Sequence, residues 1–229
     1  MSVARDVRGR AAGLPRADAR SHGTRWARVA GRWFAAAALA GPVGVVLHEA
    51  AHALVALGAG LDGVALHFAS MGYAGQDAFW EALRTGAPLP MSRHAAGLVA
   101  GGGVIATWLL AAAAAAAARR IGTGSFWGAV LGSTALLAPA RGYTGLSYLL
   151  VVRPKWPGAF PNFDEFRAAA ALGTPVDPWV LAGVAVMAGT WAVLTPRIGR
   201  DGWAAYPALL LGTGAGMAAW GAVGPAVLP

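Results

Sequence analysis

Long stretches without charge divide the chain into blocks. Glu49 is the one Asp, Glu, Lys or Arg in residues 33–61, and residues 94–118 carry none of these. A third apolar run covers 121–152 and is interrupted by "APARGYTG". Two more cover 178–196 and 202–227. A spanning helix needs about 20 apolar residues, so each run is long enough to cross a bilayer. The pattern predicts an all-α polytopic membrane protein with five to six transmembrane helices, six if the third run is two short ones. Pro42 is expected to kink the first, because proline removes a backbone donor and clashes with the preceding turn. Gly97 and Gly101 in "GLVAGGG" make a small-xxx-small pair suited to close helix approach in lipid. Residues 62–76, "DGVALHFASMGYAGQ", change period: Val64, Leu66 and Phe68 alternate with Ala65, His67 and Ala69. A period of two points to a short strand-rich segment after the first helix, with a surface loop as the other reading.

Composition agrees with this pattern. The chain is 57% hydrophobic and 12% charged, about half the charge of a typical soluble domain. The net charge of +8 is concentrated: eight of the 18 basic residues are arginines before position 33. Arginine next to an apolar run is the positive-inside signal and also contacts anionic lipid. Residues 1–32 therefore read as a basic, mostly disordered cytosolic tail, and 33–229 as the membrane-embedded domain of a multi-pass plasma-membrane protein. The lipid bilayer is one expected partner. No basic stretch interleaved with aromatics suggests nucleic acid. The absence of cysteine removes disulfides and thiolate metal sites.

The chemistry is in "GVVLHEAAHALVALG", residues 44–58. His48-Glu49-Ala50-Ala51-His52 is an HExxH pattern. On a helix, positions four apart lie on one face, so both imidazoles can meet one ion. Zinc takes neutral imidazole nitrogen, and a catalytic site keeps one position open. Glu49 falls beside the ion, where a carboxylate can accept a proton from water and hand it to a leaving amine. Ionisable groups within a span are costly and mark function; a polar cluster hydrogen-bonded within the bundle is the plainer reading.

A catalytic zinc usually has three protein ligands. His67 in the expected strand and His94 at the start of the second span read most simply as loop or interfacial histidines. Asp164 and Glu165, in "AFPNFDEFRAAAALG", are the only acidic residues between Glu81 and Asp177. They suit a helix start as well as a ligand role. With five crossings, Asp164 emerges on the side where the first span ends, within reach of the histidines.

These residues resemble the site-2 protease family of intramembrane zinc metalloproteases, and its small bacterial members in particular. The likeness covers roughly residues 40–185. HExxH stands in the first core helix, "GVALHFASMGYAG" resembles the strand-rich segment after it, and "AAGLVAGGGVIATWLL" resembles the glycine-rich helix packed on the active-site helix. "NFDEFRAAAALGTP" resembles the segment supplying the third ligand, which the resemblance implies is Asp164, with His48 and His52 as the other ligands of Zn2+ and Glu49 as catalytic base. The sequence departs from the family in two places. The Asn and Pro common in the glycine-rich helix are absent, and "FDEF" replaces the usual Leu-Asp-Gly, leaving Glu165 and Asn162 as neighbouring alternatives. The implied activity is cleavage of membrane protein segments. A catalytically inactive protein of the same fold that binds metal or a partner helix, and a small transporter, are the alternatives. The two signals for orientation conflict. Loop charges put the tail, Arg119/Arg120 and Arg197/Arg200 in the cytosol and the histidines nearer the other face, whereas the resemblance implies a site nearer the cytosol. Oligomeric state is not legible.

Overall fold

A computed structural model describes residues 17–155 and 163–229. Helix α1 runs from Ala17 to Gly58 and passes Pro42 without interruption. It takes in residues 17–32, expected in the disordered tail. That stretch is rich in Ala and Arg, both good helix formers, and it extends an apolar helix that is already nucleated. Residues 1–16 lie outside the described residues.

After α1, β1 (Ala65–Leu66) pairs antiparallel with β2 (Met71–Gly72), with Ala65 opposite Gly72 and Leu66 opposite Met71. The expected strand-rich segment is therefore a minimal hairpin. Gly63 and Gly75 at its two ends have φ of 65° and 79°, left-handed values open to glycine that turn the chain out of the ladder. Helices α2 (Gln76–Thr85), α3 (Arg93–Ile121) and α4 (Phe126–Leu137) follow.

The interruption in the third run is a 3-10 turn at Ala138–Ala140, where Pro139 leaves the helical basin (φ −83°, ψ 18°). Helix α5 (Arg141–Ser147), a π-helical turn (Tyr148–Val152) and α6 (Arg153–Lys155) complete the same crossing. Helices α7 (Asp164–Leu172), α8 (Asp177–Ile198) and α9 (Gly202–Val227) end the chain.

Among the described residues, five segments are long and apolar enough to cross a membrane: 23–58, 93–121, 126–155, 177–198 and 202–227. This makes the chain a membrane protein by length and composition. Small residues fill the interior: Ala36, Ala37, Ala114, Ala115, Ala118 and Ala129 pack around Trp33, which is 1% exposed. Leu54, Leu109 and Leu210 are 66–69% exposed. Small inside and large apolar outside is the arrangement lipid favours, because helix association there rests on close packing.

The contacts fix the direction of each crossing. Gly212 and Gly216 of α9 lie against the backbone at Phe34 and Ala38 of α1, so these helices are parallel. His52 meets Gly103, and His48 meets Thr107, so α3 is antiparallel to α1. Gly101 meets Trp179, and Gly183 meets Trp108, so α8 runs with α3. The hairpin, α2 and α7 therefore gather at the end of the bundle where α1 finishes.

Candidate metal centre

His48 and His52 lie in the last turns of α1, one helical turn apart, with their rings edge to face at 4.6 Å between centroids. Both are buried, 8% and 5% exposed. Their Nε2 atoms are 3.0 Å apart. Asp164, the first residue of α7, brings Oδ2 to 3.0 Å from His48 Nε2 and 3.3 Å from His52 Nε2. Three potential ligand atoms from two distant segments thus form one small triangle, the group among the described residues suited to a metal ion.

The other ring nitrogens fix the tautomers. His52 Nδ1–H donates to the Val99 carbonyl at 2.6 Å. Gly103 N–H also lies 3.3 Å from that nitrogen, but a carbonyl can only accept, so the shorter contact places the proton on Nδ1. His48 Nδ1–H donates to Thr107 Oγ1 at 2.7 Å, and Thr107 passes its own hydroxyl proton to the Gly103 carbonyl at 2.7 Å. Both Nε2 lone pairs therefore face Asp164. Ligating histidines are held in this way, with the second nitrogen donating to an outer partner. Around a tetrahedral ion at zinc–ligand distances, ligand atoms lie about 3.4 Å apart, close to the 3.0–3.3 Å found. The donor set and its spacing fit a metal ion.

Packing sets this geometry. A Cβ on Gly103 would overlap His52 Nε2, and one on Gly102 would come 2.6 Å from Val55. These two glycines let α3 approach α1. The expected pair, Gly97 and Gly101, faces elsewhere: Gly97 admits Leu172 at the end of α7, and Gly101 admits Trp179 of α8. Arg93 donates to the Ala170 and Ala171 carbonyls at the C-terminal end of α7 (2.7 and 3.1 Å). Phe166 is buried against Tyr148, 4.6 Å between ring centroids. Together these contacts orient α7 and its first residue.

No family model matches the chain. No curated protein and no solved structure matches it either.

Glu49 lines two cavities that flank the triangle. One, about 210 Å³, is bounded by the hairpin at Ser70 and Met71, by Tyr73, and by Asp164 and Arg167 of α7. The other, about 260 Å³, lies deeper between α1, α4 and α9 and is also lined by His48 and Thr107. In the first cavity the Arg167 guanidinium stands over the Trp80 ring at 5.3 Å. Burial raises the Tyr73 hydroxyl above the ordinary phenol range, with the Arg167 charge pulling the other way, so Tyr73 is a neutral hydrogen-bonding group at neutral pH.

The remaining candidates are placed as follows. Glu165 is buried on another face of α7, beside Gly142, Thr144 and Gly145, and is not one of the three clustered ligand atoms. His67 bonds to the Pro229 carbonyl at the hairpin tip, and His94 is exposed at the start of α3. Asn162 lies outside the described residues. Sequence reasoning missed Thr107 and Gly103; a Thr four residues after a glycine within an apolar run was the available signal.

Proposed function

We propose that the protein is a membrane-embedded zinc metalloprotease of the site-2 protease type, cutting peptide bonds in or near the transmembrane segments of substrate proteins. The observation that carries this reading is the triangle itself. Two imidazoles on α1 and a carboxylate on α7 converge, with the two Nε2 atoms and Asp164 Oδ2 3.0–3.3 Å from one another, next to Glu49, which lines the cavities on both sides. Zinc, when bound, polarises a peptide carbonyl and lowers the pKa of water to about 7.

The protein's own groups do the rest. His48, His52 and Asp164 hold the ion. Thr107 and the Val99 carbonyl fix the rings, so little reorganisation is needed during reaction. Glu49 accepts the proton of the attacking water and delivers it to the departing amine. A substrate helix must unwind to present a carbonyl. The 210 Å³ cavity offers polar groups on the hairpin, Tyr73 and Arg167 to meet the exposed peptide. Arginines at the start of α1 and the ends of α3 and α8 favour a cytosolic N-terminus in the plasma membrane, which turns the site toward the opposite face.

The test compares wild type with Glu49→Gln in liposomes against a library of membrane-spanning peptides. Cleavage is expected to fall at least about a hundredfold, the usual loss on removing a general base, while zinc stays bound. Equal cleavage by both proteins refutes the role of Glu49. Zinc without any cleavage by wild type replaces this reading with that of a metal-binding, non-catalytic protein. If the triangle holds protons and no metal, the transporter reading takes its place.

A further inference from the structure

A cavity of about 660 Å³ lies far from the histidines, between the second halves of α3 and α8. The two helices are parallel, and Trp108 at the middle of α3 and Trp179 near the start of α8 pack between them, with ring centroids 6.3 Å apart. Beyond the tryptophans the facing positions are too small to close the gap. Ala112, Ala115 and Ala116 line it from α3, and Val186, Gly189 and Val193 from α8. A Cβ on Gly189 would meet nothing within 4 Å. The result is an open apolar trough about 12 Å long over residues 112–120, at 1.5 Å per residue.

The same trough ends in three arginines. Arg119 and Arg120 are in the last turn of α3, Arg197 is in the last turn of α8, and all three line the cavity and are exposed. Among the described residues, no acidic side chain forms an ion pair with any of them, and Asp201 at this end of the bundle pairs with Arg25 at 3.0 Å. The level is marked independently: Trp127 at the start of α4 and Trp203 at the start of α9 are 65% and 88% exposed. Exposed tryptophan at helix ends belongs to the membrane–water interface.

We propose that this trough binds one anionic phospholipid, with its phosphate at Arg119, Arg120 and Arg197 and an acyl chain along the alanine and glycine faces. Small residues shape a groove for a methylene chain, and three cations at headgroup depth select for negative charge. A zwitterionic lipid satisfies the groove but not the arginines. A protein helix would satisfy the groove and would need its own acid at the arginines. The site is independent of the protease reading, since it shares no residue with the triangle or its cavities.

Native mass spectrometry of the full chain in detergent tests this, with dioleoyl phosphatidylglycerol and dioleoyl phosphatidylcholine added in equal amounts. Wild type is expected to retain one phosphatidylglycerol in preference to phosphatidylcholine. Arg119→Gln with Arg197→Gln should reduce that retention about fivefold for each arginine removed. Gly189→Phe should fill the trough and lower retention of both lipids. Ala116→Leu does the same from the other wall, and a thermal unfolding scan shows that each variant is folded. Equal retention of the two lipids by wild type overturns the proposal. So does unchanged phosphatidylglycerol retention in both trough-filling variants, which would assign the lipid to the arginine surface alone. A dimer that these variants abolish would make the trough an interface between copies and would also overturn it.

Discussion

Gly103 is the residue at which one added carbon decides the site. Its missing side chain is the space occupied by the His52 ring. Gly103→Ala must push the ring, or the α3 backbone, out of line with Val99 and Asp164. Disturbing the outer partners of metal ligands typically costs 10- to 100-fold in metal affinity, and the same loss is expected here, measured by competition with a chelator in detergent. Gly189→Ala on α8, where an added Cβ meets open space, is the control and should hold metal like wild type. At this scale the HExxH residues were legible because ionisable groups stand out in an apolar run. Asp164 was legible because acids are scarce around it. Thr107 and Gly103 were not, since each is an ordinary residue in a membrane helix until its facing partner is known.

Glycine also determines how the elements pack. Gly212 and Gly216 of α9 are four residues apart and bring that helix against the backbone carbonyls of Phe34 and Ala38 on α1. This is the close crossing that small-xxx-small spacing permits. Because the obstacle at Gly216 is backbone, no rotamer change can relieve it. Gly216→Val should therefore destabilise the bundle by about 1–3 kcal/mol, the usual cost of overpacking, read as a lower unfolding temperature in detergent. Gly214→Ala, with nothing within 4 Å, should be close to neutral. The spacing of apolar runs located all five crossings, because charge exclusion from lipid is strong. Which helix each glycine faces was not legible. Gly97 and Gly101 turn to α7 and α8, while Gly102 and Gly103 turn to α1, and a one-residue step on a helix moves the facing side by about 100°. The hairpin is shorter than its alternating pattern suggested, since Gly63 and Gly75 turn the chain away at both ends.

At the scale of the whole molecule, topology brings the ligands together. α1 ends where the third crossing delivers the chain to α7, so Asp164 reaches the histidines although more than 110 positions separate them. The arginine-rich ends of α1, α3 and α8 lie at the other end of the bundle, and this separates a polar, site-bearing end from a basic, lipid-facing one. The central claim is that the His48–His52–Asp164 triangle is a metal site, and metal analysis of the purified protein tests it most directly. One zinc per chain is expected in wild type, as a single three-ligand site requires. Glu49→Gln should retain it, Glu165→Ala should retain most of it, and His48→Ala, His52→Ala and Asp164→Ala should each lose it. Metal content unchanged in the histidine and Asp164 variants, or no metal in wild type, would contradict the account.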